Sequence, residues 1–324
     1  MSIRSEIIGY GHYLPAKILT NDDLSNMVET SDEWIRTRTG ILSRHIAQDE
    51  TTSVTAGRAA EAAIKNAGIT PQDVDLLILA TVTPDNTTPA TATKIARDLG
   101  LKPGVPAFDM SAACSGFIYA LTMADNMIRL GQVKTAVVIG AETLSKIVDW
   151  TDRNTCVLFG DGGGAVVLRA KEGKGDNTDT GVLSTCIFAD GSMYDNLKTT
   201  GGVSSTQNAG VVFMNGKEVF KHAVGSLSQA AEIAMQKADV KKEDIDWLIP
   251  HQANIRIIDS VREKLDLPED KVIVSLDHHG NTSAASIPLA LSENMANGKL
   301  KKGDLAVLTA MGAGFTWGGA VIRL

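Results

Sequence analysis

Three side chains, a cysteine, a histidine and an asparagine, stand where they could do chemistry together, and the cysteine is the candidate nucleophile. Cys114 precedes an apolar segment, residues 115–121, that is typical of a buried helix. A thiol at a helix N-terminus is stabilised as a thiolate, which lowers its pKa from ~8.5 and suits a group that forms and releases a thioester. Taken alone, a buried cysteine is more often inert packing.

His251 and Asn281 offer hydrogen-bond donors. His251 is the first residue after an apolar strand and can act as a donor or a general base, depending on its tautomer. Asn281 lies in residues 280–286 (GNTSAAS) and can donate two N–H bonds without a change of charge. Singly, such a histidine is as often structural as functional, and such an asparagine is more often a turn residue or helix cap.

An internal duplication would bring these distant side chains together. Residues 59–64 (AAEAAI) lead to the apolar run 76–80 (LLILA), and residues 230–235 (AAEIAM) lead likewise to 247–251 (WLIPH), an offset of about 170 residues. This spacing is far longer than the repeats of solenoid proteins. Equivalent positions of two similar halves lie near a pseudo-twofold axis, where the three groups would converge. Chance similarity between two βα units is the alternative.

Two α/β halves are therefore expected, residues 1–173 with the cysteine and residues 174–324 with the histidine and the asparagine. Short β-branched runs alternate with longer helical segments, and the runs are apolar on both faces, as in a sheet covered by helices on each side. The junction is placed in residues 171–178 (KEGKGDNT), the most polar and turn-rich stretch after a strand-like run.

Composition and charge disfavour several classes of protein. A net charge of −7 and a pI near 5.4 leave no basic excess for a nucleic acid. Three cysteines without a CxxC pair indicate a reducing compartment. The N-terminal residues lack the apolar core of a signal peptide, and no run approaches the ~18 apolar residues of a membrane span. We therefore expect a cytoplasmic protein that binds neither nucleic acid nor membrane.

No motif indicates a metal or a nucleotide cofactor. The six histidines show no metal-ligand spacing, and the adjacent His278 and His279 do not share a helix face. Gly9 and Gly11 follow a short strand, but Leu14 stands where a dinucleotide-binding fingerprint has its third glycine. Neither a metal nor a bound cofactor is expected.

Seven short motifs are spread along the chain between residue 7 and the C-terminus. They are SDEWI (31–35), RTGI (38–41), SAACSGF (111–117), LFGDG (158–162), HQAN (251–254), GNTSAA (280–285) and GFTWG (314–318). Each is weak alone, but together and in this order they closely resemble the β-ketoacyl-acyl-carrier-protein synthase III family of thiolase-like condensing enzymes. The resemblance implies an α/β protein with a thiolase-like fold, a duplicated five-layered α-β-α-β-α architecture.

The resemblance also implies a reaction. An acyl-CoA primer is joined to malonyl-acyl carrier protein with loss of CO2, and the 3-oxoacyl product begins fatty acid synthesis. Cys114 then accepts the acyl group, while His251 and Asn281 hold the malonyl thioester carbonyl, whose enolate needs preorganised donors. The backbone N–H groups of Cys114 and Ala313 form the oxyanion hole. No metal or redox cofactor takes part.

Other positions match residues of the family that bind substrates. Trp34 and Arg153 correspond to a grip on coenzyme A, with the indole stacked on adenine; core packing is the alternative for Trp34. Lys221 and Arg256 correspond to residues that dock the acidic carrier protein, or else form a solvated helix face. The resemblance implies a homodimer as well. Further residues matched to the coenzyme A channel are Arg38, Thr30, Gly216 and Asn254.

Two positions depart from the family's commonest residues. Ala313 replaces a frequent glycine of the terminal turn, which keeps the N–H but narrows the allowed backbone geometry. Thr88 stands where many members place a bulky side chain that reaches across the dimer to close the acyl pocket. The smaller residue predicts room for a longer or branched primer.

Three other functions compete with this interpretation. A related condensing enzyme that primes polyketide or other secondary metabolite synthesis shares the chemistry and differs in its substrates. A degradative thiolase needs a second active-site cysteine near the C-terminus, and no cysteine follows Cys186. A non-catalytic partner subunit is disfavoured because the cysteine, histidine and asparagine are all intact.

Overall fold

The computed structural model describes residues 2–324, which form two large β-sheets with helices packed on their faces. The strands are β1 (Ser2–Tyr13), β2 (Lys17–Thr20), β3 (Ser43–Ile46), β4 (Leu76–Ala80), β5 (Ala107–Met110), β6 (Thr135–Glu142), β7 (Gly162–Gly173), β8 (Gly181–Ala189), β9 (Leu197–Thr199), β10 (Val212–Met214), β11 (Trp247–Pro250), β12 (Leu305–Gly312) and β13 (Thr316–Arg323). The helices are α1 (Asn21–Ser25), α2 (Asp32–Thr39), α3 (Thr52–Asn66), α4 (Thr91–Leu99), α5 (Gly116–Arg129), α6 (Val203–Thr206), α7 (Gly216–Ala238), α8 (Ile255–Lys264), α9 (Leu276–His279) and α10 (Ser286–Ala296).

The two sheets repeat one strand arrangement. The first has the order β1-β7-β6-β4-β5 and the second the order β11-β12-β13-β8. In each, a parallel pair (β4 with β6, β11 with β12) is followed by antiparallel partners. Where the first sheet adds β5, the second has only an isolated bridge between Leu248 and Val272. This repetition supports the predicted duplication, and the boundary after residue 173, at the end of β7, stays a prediction.

Helices form three layers around the two sheets. α3 packs on the outer face of the first sheet and α7 on the outer face of the second, while α5 and α10 lie between the sheets and contact both. Because α5 lies between the sheets, Phe117, Ile118 and Leu121 are almost fully buried, and each such side chain contributes ~1.5–3 kcal/mol. The predicted five-layered thiolase-like α/β fold is confirmed.

The central layer packs closely on the first sheet because a glycine makes room for it. A β-carbon at Gly140 in β6 would overlap the carbonyl oxygen of Ala284, in the 3₁₀ turn Ser283–Ala285 that precedes α10. A second 3₁₀ turn, Ala113–Ser115, precedes α5 in the same way. The two turns thus enter the space between the sheets from equivalent places. Over residues 2–324, no helix is both long and apolar enough to cross a bilayer.

Candidate active site

One cavity of about 1000 Å³ receives the three predicted chemical groups. Cys114 reaches it from the 3₁₀ turn before α5, His251 from the end of β11, and Asn281 from the segment before α10. The carboxyl ends of parallel strands and the starts of the two central helices therefore meet at this cavity. The sequence expectation that these distant residues converge agrees with this placement.

His251 is held neutral and in a fixed orientation. Its ring is buried, and burial lowers its pKa to about 4. Its backbone N–H donates to the Thr309 carbonyl at 2.8 Å, and its Nδ1 lies 2.7 Å from the Ser286 hydroxyl. When Ser286 donates to Nδ1, the proton of the neutral ring sits on Nε2 and makes this atom a donor.

Asn281 is oriented by its own turn. Its Oδ1 accepts a hydrogen bond from the Ser283 N–H at 2.9 Å, so the amide group is turned with its Nδ2 away from that bond. Its backbone N–H donates to the Leu158 carbonyl at 2.8 Å, and its carbonyl accepts from the Gly160 N–H at 3.0 Å. The segment 158–160 therefore anchors Asn281 from both sides, and the amide donor remains available to the cavity.

The expected lowering of the Cys114 pKa is wrong in this structure. The residue is partly exposed to the cavity, yet burial of the thiol raises its pKa to about 12, with Glu142 adding to the rise and a bond from Ser283 opposing it. Cys114 also lies in the 3₁₀ turn, two residues before the α-helix begins at Gly116. A helix N-terminus contributes ~0.3–1 kcal/mol, less than one pKa unit, which burial outweighs.

The terminal turn lies directly against the nucleophile. A β-carbon at Gly312, the last residue of β12, would lie 2.5 Å from the Cys114 nitrogen. The Thr316 hydroxyl is 3.0 Å from the carbonyl oxygens of both Ala112 and Ala313, so it ties the cysteine turn to the turn between β12 and β13. Ala313 lines the cavity, and its N–H donates to no other residue of the described chain. The oxyanion role of the Cys114 and Ala313 N–H groups stays a prediction.

Trp34 stands at the cavity wall with two guanidinium groups over its ring. The Arg38 and Arg153 guanidinium carbons lie 4.7 Å and 5.1 Å from the ring centre, and Arg153 also donates to the Glu29 carbonyl at 2.8 Å. Trp34 and Arg38 line the cavity, whereas Arg153 does not. Trp34 also packs against the hydrophobic core, so core packing, the alternative interpretation of this residue, describes part of its surface.

The other residues matched to the coenzyme A channel divide into two groups. Gly216, which begins α7, and Asn254, which caps α8, line the cavity. The Asn254 side chain accepts from the Arg256 N–H at 2.9 Å and donates to the Arg38 carbonyl at 3.0 Å. Thr30 does not line the cavity, and its hydroxyl is buried without a partner in residues 2–324.

The cavity lining is basic although the chain is acidic. No aspartate or glutamate of residues 2–324 lines it, while four cationic residues do: Arg38, Lys198, Lys217 and Arg256. Sequence reasoning missed Lys198 and Lys217, because only the fold brings β9 and the start of α7 to the cavity. Lys221 lies outside the lining, exposed and 3.7 Å from Glu218.

Thr88 is not part of this chain's cavity. It lies exposed in the turn between β4 and α4. Its predicted contribution to the acyl pocket requires a second subunit and stays a prediction.

A histidine cluster lies outside the cavity. His278 Nε2 and His279 Nε2 lie 3.0 and 3.1 Å from the two carboxylate oxygens of Glu293, and ligand atoms of these three residues are within 4.8 Å of one another, as in a group that could hold a metal. The sequence did not predict this group, because Glu293 belongs to a separate helix. Bonds to Asp277 and Glu293 raise the pKa of His278 to about 10, so charge pairing accounts for these contacts.

Comparison with known proteins agrees with this geometry. The chain matches the family described as 3-oxoacyl-[acyl-carrier-protein (ACP)] synthase III over residues 108–191 and its C-terminal part over residues 235–324. A β-ketoacyl-[acyl-carrier-protein] synthase III of Rhodospirillum centenum is 57% identical over 324 residues, the full length of both chains. The crystal structure of 3-oxoacyl-[acyl-carrier-protein] synthase III from Aquifex aeolicus has a TM-score of 0.93 at 50% identity, covering 99% of this chain and 100% of that one.

A five-layered fold built from two such sheets defines a thiolase-like condensing enzyme. The chain belongs to the 3-oxoacyl-[acyl-carrier-protein] synthase III family. It is a condensing acyltransferase that initiates fatty acid synthesis, as the motifs indicated. The priming β-ketosynthase from the R1128 polyketide pathway has a TM-score of 0.91 at 34% identity, covering 99% of this chain and 96% of that one. This identity is lower than the 57% shared with the Rhodospirillum centenum enzyme, which disfavours the alternative that the chain primes polyketide synthesis.

Proposed function

We propose that the cavity performs both half-reactions of the condensation, with Cys114 taking an acyl group from acyl-CoA and His251 and Asn281 acting on malonyl-acyl carrier protein. The observation that carries this proposal is the convergence of these three side chains on one basic cavity. The thiol supplies a nucleophile that forms a thioester, and two neutral donors face the same space. Neither half-reaction requires a metal or a redox cofactor.

His251 and Asn281 stabilise the enolate that forms when the malonyl group loses CO2. The negative charge develops on the thioester oxygen, and donors already in place lower the energy of that state without reorganisation. A neutral His251, whose pKa is about 4, donates from Nε2 while Ser286 holds Nδ1. Asn281 donates from Nδ2 because Ser283 holds its Oδ1. The enolate carbon then attacks the acyl group on Cys114.

The Cys114 and Ala313 N–H groups receive the oxyanion of each tetrahedral intermediate. Support comes from the contact of the Gly312 backbone with the Cys114 nitrogen and from the Thr316 hydroxyl that ties the two turns. Ala313 keeps the donor that a glycine would supply, so the departure from the family's commonest residue leaves the hole functional. One missing donor of this kind costs about 100-fold or more in rate.

The basic lining binds the phosphate-bearing substrates. Trp34 stacks on the adenine of coenzyme A, with Arg38 and Arg153 near its phosphates, and Thr30, Gly216 and Asn254 border the channel. Arg256 and Lys221 dock the acidic carrier protein beside the cavity mouth. Local positive charge steers these anionic partners although the whole chain is acidic. We assign the protein to the cytoplasm, where its three unpaired cysteines stay reduced.

The test is the intact mass of the protein after mixing with acyl-CoAs of increasing length and branching, beside Cys114→Ala. We expect one acyl group on the wild type and none on the variant, lost again after addition of malonyl carrier protein. Acylation of Cys114→Ala, or none of either protein, would remove the nucleophile assignment. Because Thr88 is small, chains longer than acetyl are expected to load; loading by acetyl alone would refute that proposal. Light scattering tests the proposed homodimer.

A further inference from the structure

Arg44 is a buried cation that the proposed reaction leaves without a role. It belongs to β3 and its side chain is fully buried. Burial lowers the pKa of its guanidinium to about 10, so the group is still charged at pH 7. None of the ion pairs formed by residues 2–324 includes it. A buried charge without a charged partner is costly, which indicates that the molecule uses it.

The Arg44 guanidinium is bound to three neutral oxygens from three separate segments. Its Nη2 donates to the Val157 carbonyl at 2.7 Å. Its Nη1 donates to the Leu19 carbonyl at 3.2 Å and to the Asn21 Oδ1 at 3.0 Å. A planar guanidinium presents its donors in a fixed fork, so these bonds fix the distances between the segments that they join.

One side of the guanidinium reaches the segment that anchors Asn281. Val157, which accepts from Arg44, immediately precedes Leu158. The Leu158 carbonyl accepts from the Asn281 N–H at 2.8 Å, and the Gly160 N–H donates to the Asn281 carbonyl at 3.0 Å. A β-carbon at Gly160 would lie 3.0 Å from the Arg44 β-carbon, so the Arg44 side chain also packs against this segment. Arg44 therefore lies directly behind the backbone that holds Asn281.

The other side of the guanidinium reaches α2, the helix that carries Trp34. Asn21 accepts from Arg44 through its Oδ1. The Asn21 Nδ2 donates to the Asp32 Oδ1 and to the Ile41 carbonyl, both at 2.8 Å. Asp32 begins α2 and Ile41 lies two residues beyond its end, so Asn21 holds this helix at both ends. The position of α2 thus depends on Arg44 through a single buried asparagine.

We propose that Arg44 is a positioning residue that fixes Asn281 and α2 relative to each other, so that condensation and acyl-CoA binding both depend on this one guanidinium. The inference rests on the proposed function, since it assigns the support of the same asparagine and of the same coenzyme A helix. Arg44 does not line the cavity, so it acts through the two segments that it joins. A displacement of about 1 Å in a reacting group can cost ~100-fold in rate.

The experiment measures two quantities in full-length Arg44→Met and Arg44→Lys: the KM for acyl-CoA, and the rate at which malonyl carrier protein removes the acyl group from loaded enzyme. Arg44→Met should slow that removal by ~100-fold and raise the KM by about tenfold, while Cys114 still takes one acyl group at saturating acyl-CoA. Arg44→Lys keeps the charge but replaces the fork by a single ammonium, so it should show the same two defects. Asn21→Ala should raise the KM alone, because Arg44 still holds Val157.

Arg4→Met is the matched control, because it removes a second buried guanidinium that does not line the cavity. Arg4 is buried and pairs with Asp179 at 3.0 Å. The control should lower the thermal stability and leave both the condensation rate and the KM at their wild-type values. Circular dichroism checks that each variant is folded. Arg44→Lys, which keeps the buried charge, carries the test if Arg44→Met does not fold.

The outcomes separate this inference from the proposed function. Wild-type condensation by folded Arg44→Met or Arg44→Lys, or a rate lowered only as far as in Arg4→Met, would overturn the positioning of Asn281 by Arg44. An unchanged KM in both Arg44→Met and Asn21→Ala would overturn the link to α2. Condensation at the wild-type rate by Asn281→Ala would instead overturn the proposed function, because the asparagine that Arg44 is proposed to position would then have no part in the reaction.

Discussion

Cys114 and His251 share surroundings that disfavour charge. Burial raises the pKa of the thiol to about 12 and lowers that of the imidazole to about 4, so both are neutral at pH 7. A neutral imidazole remains a donor toward an enolate, whereas a neutral thiol requires a proton acceptor at the moment of attack. The sequence identified both residues, but their pKa values depend on tertiary burial, which no local pattern reports.

The Cys114 thiol should lose its proton only at high pH. Ultraviolet thiolate absorbance of the wild type minus that of Cys114→Ala is expected to show little thiolate at the ordinary thiol pKa of ~8.5 and more only at higher pH. The physical reason is the cost of an anion in a buried site. A thiolate already formed at pH 7 would mean that the helix N-terminus outweighs burial.

The His251 ring should work in its neutral form down to low pH. Decarboxylation of malonyl carrier protein by Cys114→Ala isolates its role, and the rate is expected to fall only as pH drops through about 4, where the ring takes up a proton. His251→Ala should lower this rate by about 100-fold. A decline centred near the ordinary histidine pKa of 6.5 would contradict the burial account.

At the scale of elements, the site depends on turns that pack backbone against backbone. The two 3₁₀ turns before α5 and α10 both begin with a residue of positive φ, Ala113 at 45° and Ser283 at 50°. Sequence periodicity located the adjoining strands and helices, since buried strands and an apolar central helix leave clear patterns. It did not reveal that Ser283 orients Asn281, because a short turn carries no period.

Gly312→Ala tests this close packing. The added methyl would lie 2.5 Å from the Cys114 nitrogen, so the cysteine turn must shift. Overpacking of this kind costs ~1–3 kcal/mol, and a displaced nucleophile should reduce acyl loading by about 100-fold. Gly57→Ala in α3, where a methyl meets no atom within 4 Å, is the control and should load normally. Normal loading by Gly312→Ala would show that the turn is not confined.

At the scale of the whole molecule, the charge of the cavity lining is opposite in sign to the net charge of the chain. The chain has a net charge of −7, yet residues 2–324 place four cations and no carboxylate in the cavity lining. The sequence predicted the layered duplicated fold, the three chemical groups and the matched cations Arg38 and Arg256. It missed Lys198 and Lys217, because their approach to the cavity depends on how the segments around β9 and α7 fold back over it.

Substrate binding should respond to this local charge. Arg38→Ala is expected to raise the KM for acyl-CoA by about tenfold, equivalent to ~1.4 kcal/mol, with little change in kcat. Added salt should weaken binding by the wild type more than by the variant, because an exposed cation is screened. Lys65→Ala, at the far end of α3, serves as the control. An unchanged KM in Arg38→Ala would remove this residue from the coenzyme A site.

The division of labour within the cavity is the central claim, and the most direct measurement follows acyl-Cys114 by intact mass in His251→Ala and Asn281→Ala. Both variants are expected to load the acyl group as the wild type does, since Cys114 is intact. After addition of malonyl carrier protein the wild type should lose the acyl mass, and both variants should retain it. Loss of the acyl group at the wild-type rate from either variant would contradict the claim.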